Sequence, residues 1–243
     1  MERAFFDFVC LKLLVSKLLS YGIICGAVLV KVPQIVKIVR SKSTAGLAPS
    51  MYVLENIGYL ITVIYNLRNG YAFSTFGEAV FLLLQGFVLV ALFGVFNKRL
   101  GLTVAGASVF AAFAYFLGQV ATPAQLAQAQ MATIPIFAAS RLPQIARNYQ
   151  AGSTGVLSLV TVLLNALGSS ARVFTTLTEV QDQVVLMGVC SSAIMNLVLL
   201  LQLALYWNAD AAKAKAAPVK GASSSAGSSK KGKQGASKPS KQE

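Results

Sequence analysis

The sequence predicts an all-α integral membrane protein in which seven transmembrane helices form two parallel three-helix repeats joined by a linker helix. The first observation is composition: 56% of the 243 residues are hydrophobic, 12% are charged, and the mean hydropathy is +0.66. A soluble domain of this size would not bury so much apolar surface. The second is a recurrence, because Lys31-Val-Pro-Gln-Ile35 returns 110 positions later as Arg141-Leu-Pro-Gln-Ile145.

The helices are predicted from apolar stretches of about 20 residues, the length that crosses a bilayer. The seven stretches are 19–39, 50–67, 74–96, 100–120, 128–148, 156–177 and 184–207. Three helices reverse the direction of the chain and a fourth restores it, so the two repeats are expected to be parallel. The predicted segments are an N-terminal segment 1–17, a first repeat 18–97, a linker helix 98–127, a second repeat 128–208 and a tail 209–243.

The internal repeat extends beyond the Pro-Gln pair. Sliding 31–58 over 141–168 without a gap gives eight identities in twenty-eight positions. The identical pairs are Pro33/Pro143, Gln34/Gln144, Ile35/Ile145, Ser43/Ser153, Thr44/Thr154, Leu47/Leu157, Leu54/Leu164 and Gly58/Gly168. This internal match indicates two similar half-bundles.

Each Pro-Gln pair is predicted to lie at a bend. Proline has no backbone N–H, so Pro33 and Pro143 leave the carbonyls of Leu29 and Ala139 without helical partners. In hydrocarbon such groups need a partner from the protein or from water in a cavity, and we expect the glutamine amide beside each proline to bond the freed backbone. The predicted hinge residues are Pro33, Gln34, Pro143 and Gln144. The alternative is a static bend that only shapes packing.

Polar residues inside the spans are candidates for a binding cavity because they are costly there, at about 2.5–3.5 kcal/mol for a central Asp, Lys or Arg. Glu55 corresponds to Asn165 at the same offset of 110, which predicts a cavity with one half able to take up a proton. Gln85 and Asn196, in the third span of each half, are candidate ligand contacts. The alternatives are that Glu55 pairs with a nearby lysine or stays wet at the interface, and that the amides only join helices.

Loop charges orient the chain, because Lys and Arg favour the cytosolic side of a membrane. Basic residues follow the first, third and fifth spans, and eight of the 21 Lys and Arg residues lie after Tyr206. The C-terminus is therefore expected in the cytosol and the N-terminus on the luminal side. The Lys-rich tail is predicted to be disordered, either solvated or in contact with anionic lipid. No aromatic residues interleave with its lysines, so no nucleic-acid partner is predicted.

The sequence shows no sign of catalysis or of a cofactor. It has no histidine, and its cysteines, Cys10, Cys25 and Cys190, are widely spaced among apolar residues. Neither a nucleophile–base pair, a phosphate-cradling glycine loop nor metal-ligand spacing occurs in it. We therefore expect a non-enzymatic protein without a metal or cofactor.

The two Pro-Gln dipeptides and their surroundings resemble the PQ-loop family, which includes cystinosin-like exporters and distant relatives of the SWEET sugar transporters. Longer strings are similar to the mannose-P-dolichol utilisation defect family within it. These strings are CLKLLVSK at 10–17, KVPQIVKI at 31–38, FSTFGEAVFLLLQ at 73–85, NY at 148–149 with GSTG at 152–155, and QLALYWN at 202–208. The resemblance implies a SWEET-like 3+1+3 arrangement of helices in a protein of the endoplasmic reticulum membrane.

The resemblance also implies a role in the use of dolichol-phosphate-mannose and dolichol-phosphate-glucose. These lipids donate sugars for N-glycan precursors, GPI anchors and protein mannosylation. Flipping of the lipid-linked sugar, its presentation to transferases and a chaperone-like role are all open mechanisms. The implied partners are dolichol-phosphate-linked sugars or another lipid, the surrounding membrane lipids, and glycosyltransferases of the endoplasmic reticulum.

Three hypotheses follow. On the first, the basic residues beside the two bends attract the phosphate of a lipid-linked sugar, although the same residues are also typical of cytosolic-side anchors. These residues are Lys31, Lys37, Arg141 and Arg147. The second hypothesis is a proton-coupled transporter of amino acids or sugars, of the PQ-loop type, with Glu55 as the titrating group. The third is a membrane scaffold for glycosyltransferases.

Overall fold

The computed structural model describes residues 2–44, 49–154 and 159–207, without the side chains of 2–8, 140 and 159–161. In this part of the chain every regular element is helical, and the predicted tail 209–243 lies outside it. The helices are α1 (Glu2–Val30), α2 (Val32–Ser41), α3 (Pro49–Arg68), α4 (Phe73–Phe96), α5 (Leu100–Tyr115, continued by a π-helical segment Phe116–Val120), α6 (Pro123–Ala151), α7 (Leu159–Glu179) and α8 (Gln183–Leu205).

These helices form the seven predicted spans, with α1 and α2 as the first and α5 with its π-helical segment as the fourth. Most bounds agree with the predicted ones to within three residues. The first span is longer than predicted, because α1 begins at Glu2, and the predicted boundary at 17 falls inside it. Lysines in that stretch lower its hydropathy without ending a helix, since lysine is a good helix former.

The helix α6 also begins before its predicted start at 128. Its first turn carries a capping box: the Thr122 side chain accepts from the backbone of Gln125, and the Gln125 side chain accepts from the backbone of Thr122. Pro123 occupies the first helical position, where no N–H is needed. Gly152, with a left-handed φ of 53°, ends the helix.

Four of the described spans contain a stretch of 18 residues that is apolar enough to cross a membrane: Val9–Ser41, Phe73–Phe96, Leu100–Val120 and Gln183–Leu205. The helices α3, α6 and α7 are 20, 29 and 21 residues long but more polar. Their position explains the difference. Helices α3 and α6 pack against each other, as do α1 and α7, and these two pairs join the repeats. Three of these four inner helices, α3, α6 and α7, are thus the more polar ones, and α1 places Ser16 and Lys17 against α7.

Within each repeat the third helix packs between the other two. Helix α4 contacts α1 and α3, and α8 contacts α6 and α7 in the same way. The linker α5 packs on α4 and α3. The two repeats therefore have the same internal order, and the α3–α6 and α1–α7 contacts are equivalent under exchange of the repeats. This arrangement is the predicted one of two three-helix repeats and a linker.

The bundle has two distinct ends. We call the end that contains the connections 69–72, 121–122 and 180–182 the Glu179 end, and the opposite one, with α2 and the connection 97–99, the Pro-Gln end. An apolar cluster closes the Glu179 end between α3, the linker, α6 and α8. Its buried members are Ile61, Tyr65, Leu117, Ala121, Leu126, Val180 and Val185.

Candidate functional site

The first Pro-Gln pair follows a break between two helices. Helix α1 ends at Val30, α2 begins at Val32, and Lys31 lies between them. The residue is only 8% exposed, and its Nζ lies 2.8 Å from Oε2 of Glu55 on α3. The ammonium also lies 5.3 Å from the ring centre of Tyr59. A lysine inside an apolar bundle is thus compensated by one carboxylate and an aromatic face.

The second residue of the pair, Gln34, binds a tyrosine. Its Nε2 donates to the hydroxyl of Tyr52 on α3. The Tyr52 ring packs against Phe93 at 5.7 Å between centroids, and the Lys31 ammonium lies 5.7 Å from its centre. The expected contact of Gln34 with the backbone is therefore absent among the described residues. Gln85 of α4 bonds other backbone groups at the break, the N–H of Lys31 and the carbonyl of Ala27.

The second repeat places an arginine and an amide at the corresponding positions. The Arg141 guanidinium donates to Oδ1 of Asn196 on α8 at 3.0 Å, and Asn196 is 5% exposed. Tyr59 of α3 connects this pair to the first repeat, since it interacts electrostatically with both Arg141 and Glu55. Its ring also packs on Phe137 of α6, 5.3 Å between centroids.

These contacts define a central cluster between the repeats. Its polar members are Lys31, Glu55, Tyr59, Gln85, Arg141 and Asn196. Two cations and one carboxylate, +2 and −1, leave one net positive charge. A cluster of this composition suits an anionic group flanked by hydroxyls, because amides, tyrosine and carboxylate can bond the hydroxyls.

Other predicted residues lie elsewhere. The side chains of Asn165, Lys37 and Arg147 are exposed and Gln144 is half-buried, and in the described part of the chain no hydrogen bond joins them to the central cluster. Lys37 lies on an open, shallow surface of α2. The other residues of this surface are Pro33, Val36, Arg40 and Ser41.

The second Pro-Gln pair does not break its helix. Pro143 lies inside α6, which is continuous from Pro123 to Ala151. The first repeat thus has a break at the motif, whereas the second has an uninterrupted helix with the proline inside it. A bend at each motif stays a prediction.

Comparison with known proteins places this geometry in a family. Residues 15–75 and 129–185 each match the family model described as PQ loop repeat. The chain is a PQ-loop repeat protein. The two matches end 110 residues apart, which is the offset of the Pro-Gln recurrence.

The fold of this PQ-loop protein is similar to that of a solved eukaryotic SWEET transporter. The TM-score is 0.67 at 18% sequence identity, over 83% of this chain and 99% of the other. At this identity the similarity establishes the fold alone, and it agrees with the arrangement of two three-helix repeats and a linker helix.

A second polar cluster of the PQ-loop protein lies at the Glu179 end, between α1, α4 and α7. The Lys17 ammonium lies 2.6 Å from Oε2 of Glu179, whose side chain is 4% exposed. Ser16 and Ser74 donate to the same carboxylate at 2.6 and 2.8 Å. Since α7 belongs to the second repeat and the other residues to the first, this cluster joins the repeats.

Arg172 extends this cluster. Its position near the end of the sixth span is typical of an interfacial anchor, but the residue is 6% exposed. It forms an ion pair with Glu78 of α4 and donates to the backbone carbonyl of Ser74 at 3.1 Å. Two carboxylates of opposite repeats are thus each compensated by a cation of the other repeat.

Asp182, in the short connection before α8, also joins the repeats. Its carboxylate accepts from the hydroxyls of Tyr65 at 2.6 Å and Tyr71 at 2.8 Å, and from the backbone of Val184 and Val185. Burial raises the pKa of Asp182, but these donors outweigh burial and lower the pKa below its ordinary value. Burial, with the Asp182 carboxylate, raises the pKa of Tyr71 to about 12.

Sequence reasoning missed the partners in these clusters. Tyr59 is typical of a packing residue, and nothing in its neighbourhood in sequence indicates Arg141. Lys17 and Glu179 are 162 positions apart. The available signal was a polar face on α1, where Ser16 and Ser20, one helical turn apart, are both fully buried.

Proposed function

We propose that this protein supports the use of dolichol-phosphate-mannose and dolichol-phosphate-glucose as sugar donors in the endoplasmic reticulum, with its C-terminus in the cytosol. The observation that carries the proposal is the central cluster, whose net positive charge comes from equivalent basic residues of the two repeats, Lys31 and Arg141. Phosphate is bound best by such cations in a low-dielectric site, and a sugar presents hydroxyls to the neighbouring amides and tyrosines.

The surface of α2 supports a lipid-linked rather than a free sugar. Lys37 and Arg40 lie on a surface of α2 that is open to the outside of the bundle. Val32, Val36 and Val39 on the same helix are 38–50% exposed. A polyprenyl chain has to stay in lipid, so its phosphate needs a basic residue beside an apolar surface at the membrane boundary. Helix α2 offers both, and it leads to Lys31.

Complementation of cells depleted of the protein tests the proposal. Depletion is expected to reduce mannosylation while synthesis of dolichol-phosphate-mannose stays intact. Utilisation restored by Lys31→Met or by Arg141→Gln is expected to be about tenfold or more below that restored by the wild type. A factor of ten is equivalent to about 1.4 kcal/mol. Glutamine at 141 can still bond Asn196, so that variant keeps the helix contact. Lys98→Met, at an exposed basic residue, is the control.

Two results would count against the proposal: intact mannosylation after depletion, or wild-type complementation by both variants at equal protein levels. A labelled dolichol-phosphate-mannose analogue in vesicles that contain the purified protein then separates flipping from presentation. Flipping predicts that the labelled lipid moves between leaflets. Presentation predicts that the labelled lipid binds to the protein without such movement.

A proton-coupled small-solute transporter is the second candidate, favoured by the similarity in fold to a SWEET transporter. On this hypothesis the cavity between the repeats binds the solute, and Glu55 takes up the proton. Its pairing with Lys31 means that protonation would release the lysine. Uptake driven by a pH gradient and abolished by Glu55→Gln would support this function. Its absence, together with loss of mannosylation in depleted cells, would exclude it.

A further inference from the structure

The break between α1 and α2 contains a side-chain amide from another helix. In a continuous helix the N–H of Lys31 would donate to the carbonyl of Ala27, four residues earlier. Here the N–H of Lys31 donates to Oε1 of Gln85 at 2.9 Å, and Nε2 of Gln85 donates to the carbonyl of Ala27 at 2.8 Å. The amide of Gln85 thus bridges the two ends of one missing helical bond.

This insertion satisfies both backbone groups of that missing bond, the N–H of Lys31 and the carbonyl of Ala27. Nε2 of Gln85 also lies 3.2 Å from the carbonyl of Val28. In hydrocarbon each unsatisfied backbone group costs several kcal/mol, so a break at this depth requires such a partner. Gln85 of α4 supplies this partner, because its planar amide carries an acceptor oxygen and a donor nitrogen side by side.

The break determines where the ammonium of Lys31 lies. A lysine on a membrane helix normally extends toward the nearer interface. Here the side chain points into the bundle, where it meets Glu55 and the faces of Tyr52 and Tyr59. Gln85 holds the backbone of the residue that carries this charge, although Gln85 itself does not touch the ammonium in any described contact.

The second repeat shows the same motif without the insertion. Asn196 corresponds to Gln85 and has a side chain one methylene shorter. It accepts from the Arg141 guanidinium. Gln202 of α8 donates to the carbonyl of Ile145 on α6 at 2.9 Å, but its oxygen accepts from the side chain of Asn148, and α6 is continuous through Pro143. Proline alone therefore does not break the helix. The helix is broken in the repeat in which one amide, that of Gln85, bonds both a backbone N–H and a backbone carbonyl.

We propose that Gln85 is a positioning residue: its amide keeps α1 and α2 separated at Lys31 and thereby holds the Lys31 ammonium in the central cluster. The statement that this ammonium receives an anionic headgroup rests on the proposed function. The position of the ammonium does not depend on that function. Gln85→Leu removes both bonds to the backbone. Gln85→Glu keeps an acceptor for the Lys31 N–H and loses the donor to Ala27.

The first measurement is the reactivity of lysines toward an aqueous acylating reagent in the full-length protein, read by mass spectrometry. Lys31 is 8% exposed and Lys37, on the same helix, is exposed, so Lys37 is the internal standard. Gln85→Leu is expected to raise labelling of Lys31 about tenfold relative to Lys37, and Gln85→Glu less. Unchanged relative labelling of Lys31 in Gln85→Leu would overturn the proposal. Gln150→Leu, at an exposed glutamine, is the control variant.

The second measurement is complementation by single and double variants. If Gln85 acts through Lys31, Gln85→Leu and Lys31→Met lower mannosylation to a similar level, and the double variant lowers it no further. Additive losses would show that Gln85 only stabilises the bundle, and would overturn the positioning role. Wild-type mannosylation in both Lys31→Met and Arg141→Gln would instead contradict the proposed function, and the labelling result then decides on Gln85 alone.

Discussion

The two repeats share a motif, an order of helices and two pairs of glycines, yet they are packed differently. A Cβ on Gly58 of the first repeat would lie 2.7 Å from Cζ of Phe137, and one on Gly77 would lie 2.8 Å from Cδ1 of Ile24. Among the described residues, a Cβ on the corresponding Gly168 would have no contact within 4 Å, and one on Gly188 would have a single contact, at 4.0 Å. The two glycines of the first repeat thus lie against side chains of other helices, whereas no described side chain comes that close to the corresponding glycines of the second repeat. Identical residues at corresponding positions therefore make different contacts.

The interface between the repeats is asymmetric in the same way. At the Glu179 end, the α1–α7 side is held by Lys17 and Glu179. At the offset of 110 these residues correspond to Ala127 and Asn69 on the α3–α6 side. Ala127 packs against the apolar cluster, whereas Asn69 is exposed and donates to the backbone carbonyl of Tyr65. The same pair of positions therefore joins the repeats by an ion pair on one side only, among the described contacts.

The largest effect on stability is expected from removing one charge of the Lys17–Glu179 ion pair on the α1–α7 side. Lys17→Met leaves the buried Glu179 carboxylate without its cation. Breaking a buried pair costs 3–5 kcal/mol, but Lys17 is one-third exposed and serine hydroxyls remain, so we expect a loss of about 2–3 kcal/mol in the free energy of unfolding. Unfolding in mixed micelles measures it, with Lys12→Met at an exposed lysine of α1 as the control.

The double variant Lys17→Met/Glu179→Met removes both charges from the α1–α7 side. It is expected to recover part of the stability that Lys17→Met loses, because no charge is left buried without a partner, while the buried hydroxyls of Ser16 and Ser74 lose their acceptor. If the double variant is less stable than Lys17→Met, the Glu179 carboxylate stabilises this side even without its cation, and the ion pair is not what distinguishes the two sides.

Matched glycine substitutions test the packing difference. Gly58→Ala forces a methyl group against Phe137 and is expected to cost about 1–3 kcal/mol. Gly168→Ala meets nothing within 4 Å and is expected to be neutral or stabilising by about 0.4–1 kcal/mol. Thermal unfolding of the two variants side by side gives the sign of each change. Equal losses would mean that both repeats are tightly packed.

Helix caps offer a third comparison, with a smaller effect. Asp182 caps α8 through the N–H groups of Val184 and Val185, whereas Ala72, its counterpart before α4, has no capping side chain. Asp182→Ala is expected to cost about 1–2 kcal/mol, and Ala72→Asp to gain about 0.5–1 kcal/mol. Unfolding of both variants measures these changes. A loss from Ala72→Asp would indicate that the first repeat has no room for a cap.

The sequence predicted what depends on length and recurrence. Helix bounds follow from apolar stretches, and the offset of 110 identified the repeats. Contacts between segments far apart in the chain were not predictable from the sequence. Nothing near Gln85 in sequence indicates that its amide, rather than that of Gln34, bonds the backbone of α1. Likewise Gly58 and Gly168 look the same, because a glycine does not reveal which side chain packs against it.

The smallest effect is expected from acidification, and it also distinguishes the two caps. Burial raises the pKa of Asp182, but the tyrosine hydroxyls and backbone N–H groups that donate to it lower the pKa below 3.8, the ordinary value. A carboxyl with a lowered pKa in the folded state stabilises it above the unfolded pKa, and this stability is lost as pH falls below about 4 through the folded pKa. Melting temperatures at pH 6 and pH 3 should therefore differ more for the wild type than for Asp182→Asn, which keeps the acceptor without the charge. Equal differences would show that Asp182 does not contribute, since the remaining carboxylates, Glu179 and Glu78 included, are common to both proteins.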